Sequence, residues 1–168
     1  IIHYNNILMG QFRKIKLTQG KFTIVDNDLF DYLNQWKWFY QLGYAVRGDY
    51  SSGKRINIRM HRLIFNAPDN IDVDHINGNA LDNRKNNLRL ATPSQNLANM
   101  KKGIKGIEKT IWNHNQRWRA RIKVNYKSIS LGCFGSRLEA IRAYNEAAKK
   151  YFGSFARLNK EGGISWDN

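Results

Sequence analysis

Residues 71–100 read IDVDHINGNALDNRKNNLRLATPSQNLANM, and the fold turns on this stretch. Ile71 and Val73, then Leu88 and Leu90, have the every-second-residue spacing of short strands. Between them runs an asparagine-rich loop containing Asn77-Gly78, a turn signal. Thr92 is a natural helix cap, Pro93 sits where a first helical turn tolerates proline, and Gln95 completes a capping box. The predicted order is strand, loop, strand, helix.

This unit carries the chemistry. Asp74-His75 is followed by Asn87 and then by Asn96. A hard divalent cation prefers oxygen ligands, which the Asp74 carboxylate and the Asn96 amide can supply while leaving positions for phosphate and water. A neutral histidine, with an ordinary pKa of about 6.5, can take a proton from an attacking water. The set suits hydrolysis of a phosphodiester. Adjacent strand residues face opposite ways, so Asp74 and His75 can serve one site only if the strand ends or twists there. Arg84, Lys85 and Arg89 are candidates to hold phosphates, with a solvated basic face as the alternative. Asn83 and Asn86 read as loop hydrogen-bonders, and His61 in MHRLIF as a satisfied helix histidine.

Outward toward the N-terminus, KIKLTQGKFTIV (14–25) alternates around Gly20 as two short strands. Asp26-Asn27-Asp28 offers a helix cap, and Leu29, Phe30, Leu33 and Trp36 form a short apolar stripe. Trp36, Trp38 and Tyr40 share one strand parity, Tyr44 to Arg47 resume it, and Ile56, Ile58 and Met60 alternate again. A short helix over 61–65 follows, ending before Pro68. The N-terminal part is an antiparallel meander with small helices and shows no chemistry of its own.

Outward toward the C-terminus, Lys101-Lys102-Gly103 is the expected boundary, dividing a region 1–100 from a domain 101–168 with its core at 103–159 and a C-terminal tail. Three strands are predicted over 104–112, 117–125 and 127–134, and one helix over 136–152 with Ser136 and Glu139 as its capping box. In the middle strand Arg117, Arg119, Arg121 and Lys123 share one parity, and Trp118, Ala120, Ile122 and Val124 share the other. Four cations in register predict a face that meets an anion, and a sheet of this size fits the DNA major groove. Lys101, Lys102 and Lys105 are placed to follow a phosphate backbone. The whole is an α+β chain: an N-terminal antiparallel meander leading into a strand–strand–helix unit, then a three-stranded antiparallel sheet packed on one helix.

Composition points the same way. With 28 Lys+Arg against 13 Asp+Glu, the formal net charge is +15, which predicts a nucleic-acid partner. No apolar run reaches the roughly 20 residues of a membrane-spanning helix. Cys133 is the one cysteine, so no disulfide or cysteine-built zinc site forms within the chain, and its apolar surroundings predict a small buried hydrophobe. Ile1 to Met9 lacks the pattern of a secretory signal, and an intracellular setting is expected: bacterial or phage-infected cytoplasm, or an organelle.

VDHINGNALDNRKNNLRLATPSQN resembles the HNH endonuclease motif, whose fold is a ββα-metal unit. The resemblance implies that His75 is the general base and that Asn87 braces the loop and helps orient it. It implies that Asp74 and Asn96 hold one metal ion per active site. Asn96 stands where many members have a third histidine, which favours Mg²⁺ or Mn²⁺ over zinc. GIKGI, WRARI, SLGCFGS, LEAIRAYNEAAKKYFG and ARLN within 103–159 resemble the plant-type apetala/ethylene-response-factor DNA-binding domain. That resemblance implies a DNA-facing set of Lys105, Gly106, Glu108, Thr110, Trp112, Arg121, Lys123, Ser128, Ser130 and Tyr144. Several plant-type arginines are replaced here, so the plant base preference does not transfer. Joined, the two units look like a homing endonuclease acting on double-stranded DNA without a small-molecule cofactor. A DNA-binding regulator with an inactive nuclease unit is the alternative. One catalytic set per chain and no added dimerisation element favour a monomer, with a homodimer as the other possibility.

Overall fold

The computed structural model describes residues 12–101 and 103–162, so the expectations on Ile1 to Met9 and on Lys102 lie outside the described residues. The chain divides into two compact units, Ile1–Ala91 and Thr92–Asn168. The division falls before the helix that follows the second motif strand, nine residues before Lys101.

In the first unit, β1 (Phe12–Lys16) and β2 (Phe22–Asp26) pair antiparallel, turning at Gly20 with its φ of +64°. Their inward residues Ile15 and Val25 join Leu17, Leu33, Trp38, Ala45 and Met60 in one buried cluster. Helix α1 (Asn27–Asn34) follows. Asp26 occupies its cap position but makes no side-chain cap bond; its carboxylate instead accepts from the Lys85 backbone N–H at 2.6 Å. Strands β3 (Phe39–Gln41), β4 (Tyr44–Asp49) and β5 (Ile56–Arg59) form the expected meander. Trp36 and Trp38 precede β3 rather than belonging to it. The Trp38 indole donates to the Leu33 carbonyl at 2.7 Å, satisfying one of the acceptors a helix end leaves open. Helix α2 (Met60–Phe65) ends at Asn66 in the left-handed region. Strands β6 (Asp72–His75) and β7 (Leu88–Ala91) pair antiparallel and close the unit.

The second unit opens with α3 (Pro93–Asn99), where both capping-box bonds between Thr92 and Gln95 are made. Strands β8 (Ile107–Trp112), β9 (Asn115–Val124) and β10 (Lys127–Phe134) form a three-stranded antiparallel sheet. Two-residue turns at Asn113-His114 and Asn125-Tyr126 join them, all four residues at positive φ as tight hairpins require. Helix α4 (Arg137–Phe152), boxed by Ser136 and Glu139, lays Tyr144, Ala147, Ala148 and Phe152 against Ile122 and its neighbours. Gly106, at φ +64°, has no room for a side chain: a Cβ would collide with the Arg121 carbonyl and the Tyr144 ring.

Cys133 departs from expectation and is exposed. The register of β10 against β9 slips between Ser130 and Gly132, so that Cys133 lies opposite Arg119. A one-residue slip reverses the faces of all later side chains, and this one moves the thiol from the packed face to the cationic one. No helix among the described residues is long and apolar enough to cross a membrane.

Candidate active site

His75 is the last residue of β6, so the strand ends where the chemistry of the Asp74-His75 pair required it to. The register places Asp74 opposite Arg89 and His75 opposite Leu88. The Arg89 Nε and Nη2 both lie 2.8 Å from the Asp74 Oδ2, a cross-strand pair whose carboxylate is 5 % exposed.

The His75 ring is 6 % exposed. Its Nε2 is 3.3 Å from the Asn83 Oδ1. The His61 ring packs edge-on at 4.9 Å between centroids, and Tyr44 lies at 6.3 Å. Asn87 serves the loop. Its Oδ1 accepts from the Asn77 backbone N–H at 3.0 Å, and its Nδ2 donates to the Asn77 Oδ1 at 3.1 Å and the Asp82 carbonyl at 2.8 Å. The bracing expected of Asn87 is thus made to the loop, whereas the bond to His75 comes from Asn83. In the sequence Asn83 reads as a loop residue, because its other partner, Thr23, lies 60 residues away in the chain.

That partner gives the N-terminal hairpin its purpose. Along β2, the Ile24 N–H donates to the Leu81 carbonyl at 2.9 Å and the Asn83 N–H to the Ile24 carbonyl at 2.8 Å. The Thr23 hydroxyl donates to the same Leu81 carbonyl at 2.8 Å. Lys85 adds an ion pair with Asp28 at 2.9 Å. The Asn-rich loop is in effect a further partner of the first hairpin.

Two arginines read as phosphate contacts are engaged with carboxylates. Arg84 grips Asp82 through two bonds of 2.7 and 2.8 Å, and Arg89 holds Asp74. Burial pushes the Asp82 carboxyl up, but the Arg84 bonds and charge prevail and hold it below the usual carboxylate range. Burial lowers the His75 pKa, against the opposing pull of Asn83, Asp74 and Asp82, which favours the neutral ring that a proton acceptor needs. Burial first, and the charges of His75, Arg59 and Arg62 after it, lower His61 to about 3.

The depressed His61 value makes stability depend on pH. Between about 3 and 6.5 the unfolded chain binds a proton that the native chain does not, so stability is complete above pH 6.5 and falls as pH falls through that window. Urea melts are expected to show a loss of about 2 kcal/mol from this residue between pH 7.5 and pH 5. His61→Phe should flatten that dependence; an unchanged slope would take His61 out of the account.

The Asp74 carboxylate is an oxygen donor of the kind a hard divalent cation takes. Among the described residues no group of three or more His, Cys, Asp and Glu side chains is placed to hold a metal. Mg²⁺ characteristically binds through one or two carboxylates plus substrate phosphate and water, and Asp74 is a carboxylate of that kind. Asn96 lies on α3, in the second unit.

In the second unit, the outer sheet face gathers the cationic row. Cross-strand partners put Glu108 beside Arg119, Thr110 beside Arg117, Ser130 beside Arg121 and Ser128 beside Lys123. Trp112 is exposed at the hairpin end. Glu108 lies 3.3 Å from Arg119 and 2.9 Å from Arg121, so one carboxylate is shared between two of the arginines. Two residues of the expected DNA-facing set lie elsewhere. The Lys105 amine donates to the carbonyls of Leu97 and Ala98 at the end of α3. Tyr144 is buried on α4 in the hydrophobic cluster, its phenol pushed up by burial. Lys101 is exposed.

Comparison with known proteins agrees with this geometry. The family model described as HNH endonuclease matches residues 59–98. An uncharacterized HNH endonuclease of Acanthamoeba polyphaga mimivirus is 32 % identical over 154 residues, covering 84 % of this chain and 76 % of that protein. Protein 3.8 of Escherichia phage T7 is 33 % identical over 114 residues, covering 60 % of this chain and 89 % of its own length. No solved structure matches. The matched segment contains α2, the paired strands β6 and β7, the Asn-rich loop and the capped start of α3, and the chain belongs to the HNH endonuclease family.

Proposed function

We propose that the chain is a site-specific endonuclease of the homing type, hydrolysing a phosphodiester of double-stranded DNA with His75 as general base. The observation that carries this reading is a buried histidine at a strand end, held by a buried asparagine, inside the segment matched to HNH endonucleases. His75 accepts the proton of the attacking water. Arg89 fixes the Asp74 carboxylate, and Asn87 keeps the loop in shape. A divalent cation held through Asp74 and Asn96 would neutralise charge on the phosphate and on the leaving 3′ oxygen.

Supercoiled plasmid incubated with Mg²⁺, Mn²⁺ or EDTA tests the reading. A monomer with one catalytic set should give open circles before linear product, and none in EDTA. Binding without metal-dependent cutting would leave a regulator with an inactive nuclease unit. Asp74→Ala and Asn96→Ala are expected to raise the metal concentration needed for half-maximal cleavage. Asp74 should matter more because it contributes charge; a metal response unchanged in both would place the ion elsewhere.

The outer sheet face is the proposed DNA reader, as the apetala/ethylene-response-factor resemblance implies, with Trp112, Arg117, Arg119, Arg121, Lys123, Ser128 and Ser130 upon it. Phosphate contacts set register while base contacts carry sequence. Arg121→Ala is expected to cost about 1–3 kcal/mol of affinity if the arginine pairs with a base edge. Glu108→Gln should act oppositely, strengthening binding by releasing two arginines from a shared carboxylate. Binding titrations at several salt concentrations check both, and equal affinity across wild type and both variants would remove this face from DNA contact.

A further inference from the structure

We infer that Asn83 is a positioning residue that sets the tautomer of His75, placing the ring proton on Nε2 and making Nδ1 the nitrogen that receives the proton of water. The inference rests on the proposed role of His75 as base. Its ground is a chain of hydrogen bonds whose direction is dictated from one end.

The Leu81 carbonyl oxygen can only accept, so the Thr23 hydroxyl 2.8 Å away donates to it. With its hydrogen committed, the Thr23 Oγ serves Asn83 as an acceptor, at 2.7 Å from the Nδ2. The Asn83 amide is thereby oriented, and its Oδ1 faces the His75 Nε2 at 3.3 Å. An amide oxygen has no hydrogen to give, so the proton between them belongs to Nε2. A neutral imidazole carries one ring proton, and the lone pair therefore resides on Nδ1. Turning the Asn83 amide over would set its oxygen against the Thr23 oxygen and break the bond to Leu81. Thr23 and Asn83 are both fully buried, 0 % exposed, so solvent does not replace a bond lost there. The rings of His61 and Tyr44 packed against His75 oppose a flip of the imidazole. Thr23 stands on β2, so a residue of the first hairpin acts on the His75 ring through the Asn83 side chain.

The test uses the full chain labelled with ¹⁵N-histidine, with ¹H–¹⁵N correlation spectra at pH 8 and the His75 signals assigned by their loss in His75→Ala. The Nε2–H pattern is expected for His75; a predominant Nδ1–H pattern overturns the inference. Asn83→Leu should lower the cleavage rate about 10²–10⁴-fold. Thr23→Val, nearly the same shape, should lower it about tenfold or more and bring in the second tautomer, with DNA affinity in EDTA unchanged. A folded Thr23→Val with wild-type rate and a single Nε2–H tautomer also overturns it, and this arm with the wild-type spectrum decides the matter if Asn83→Leu fails to fold. A chain that cuts but shows Nδ1–H removes Asn83's role alone. A chain that shows Nε2–H but never cuts removes the nuclease reading, and the catalytic half of this inference with it.

Discussion

His75→Ala is expected to abolish plasmid cleavage while leaving DNA affinity nearly unchanged. The ring is proposed as the proton acceptor, a contribution of about 10²–10⁴-fold when lost. It is 6 % exposed and its pKa is lowered by burial, so at neutral pH it adds no charge with which to hold phosphate. The loss should therefore fall on the chemical step. Gel shifts in EDTA and single-turnover cleavage in Mg²⁺, run on one preparation, separate the two. A variant that cuts at the wild-type rate would remove His75 from the mechanism.

Asn87→Ala is expected to act through stability first. The side chain makes three hydrogen bonds, to the Asn77 backbone, the Asn77 amide and the Asp82 carbonyl. Truncation strands one buried and two part-buried bonds, at a cost of about 1–3 kcal/mol. The neighbouring Asn86 is exposed, and Asn86→Ala should fall within about 0.5 kcal/mol of wild type. Urea denaturation of both variants supplies the comparison. An Asn87→Ala protein that keeps full stability but loses cleavage would move Asn87 from loop bracing into the chemistry.

Much of this architecture was legible because the local signals agreed with one another. Both capping boxes, the alternation of β9 and the hairpin turns each specify their own backbone without help from distant residues. What was not legible depended on long-range pairing. The exposure of Cys133 follows from a register slip between Ser130 and Gly132, which apolar parity does not reveal. Trp36 fits a strand by period, yet the Trp38 indole is claimed by the end of α1, and the strand begins later. Lys105 reads as a cation for phosphate, and nothing local announces that its amine donates to the carbonyls of Leu97 and Ala98 at the end of α3. Spacing singles out Asp74, His75, Asn87 and Asn96 as the proposed set, whereas Asn83 reads as a loop hydrogen-bonder. Its importance comes from Thr23, and nothing in the composition of either segment announces that bond.

The anchoring of the Asn-rich loop to β2 bears on what can be moved between proteins. The motif proper spans about thirty residues and looks portable, a cassette that could be grafted onto another DNA-binding scaffold. Yet five of the bonds that shape its loop are made to Thr23, Ile24 and Asp26, residues of a hairpin that begins the described chain. A transplant cut at Ile71 would leave those buried groups facing nothing and the loop without its template. The smallest unit that carries its own loop template is therefore the hairpin together with the motif, and a graft has to include the meander that joins them.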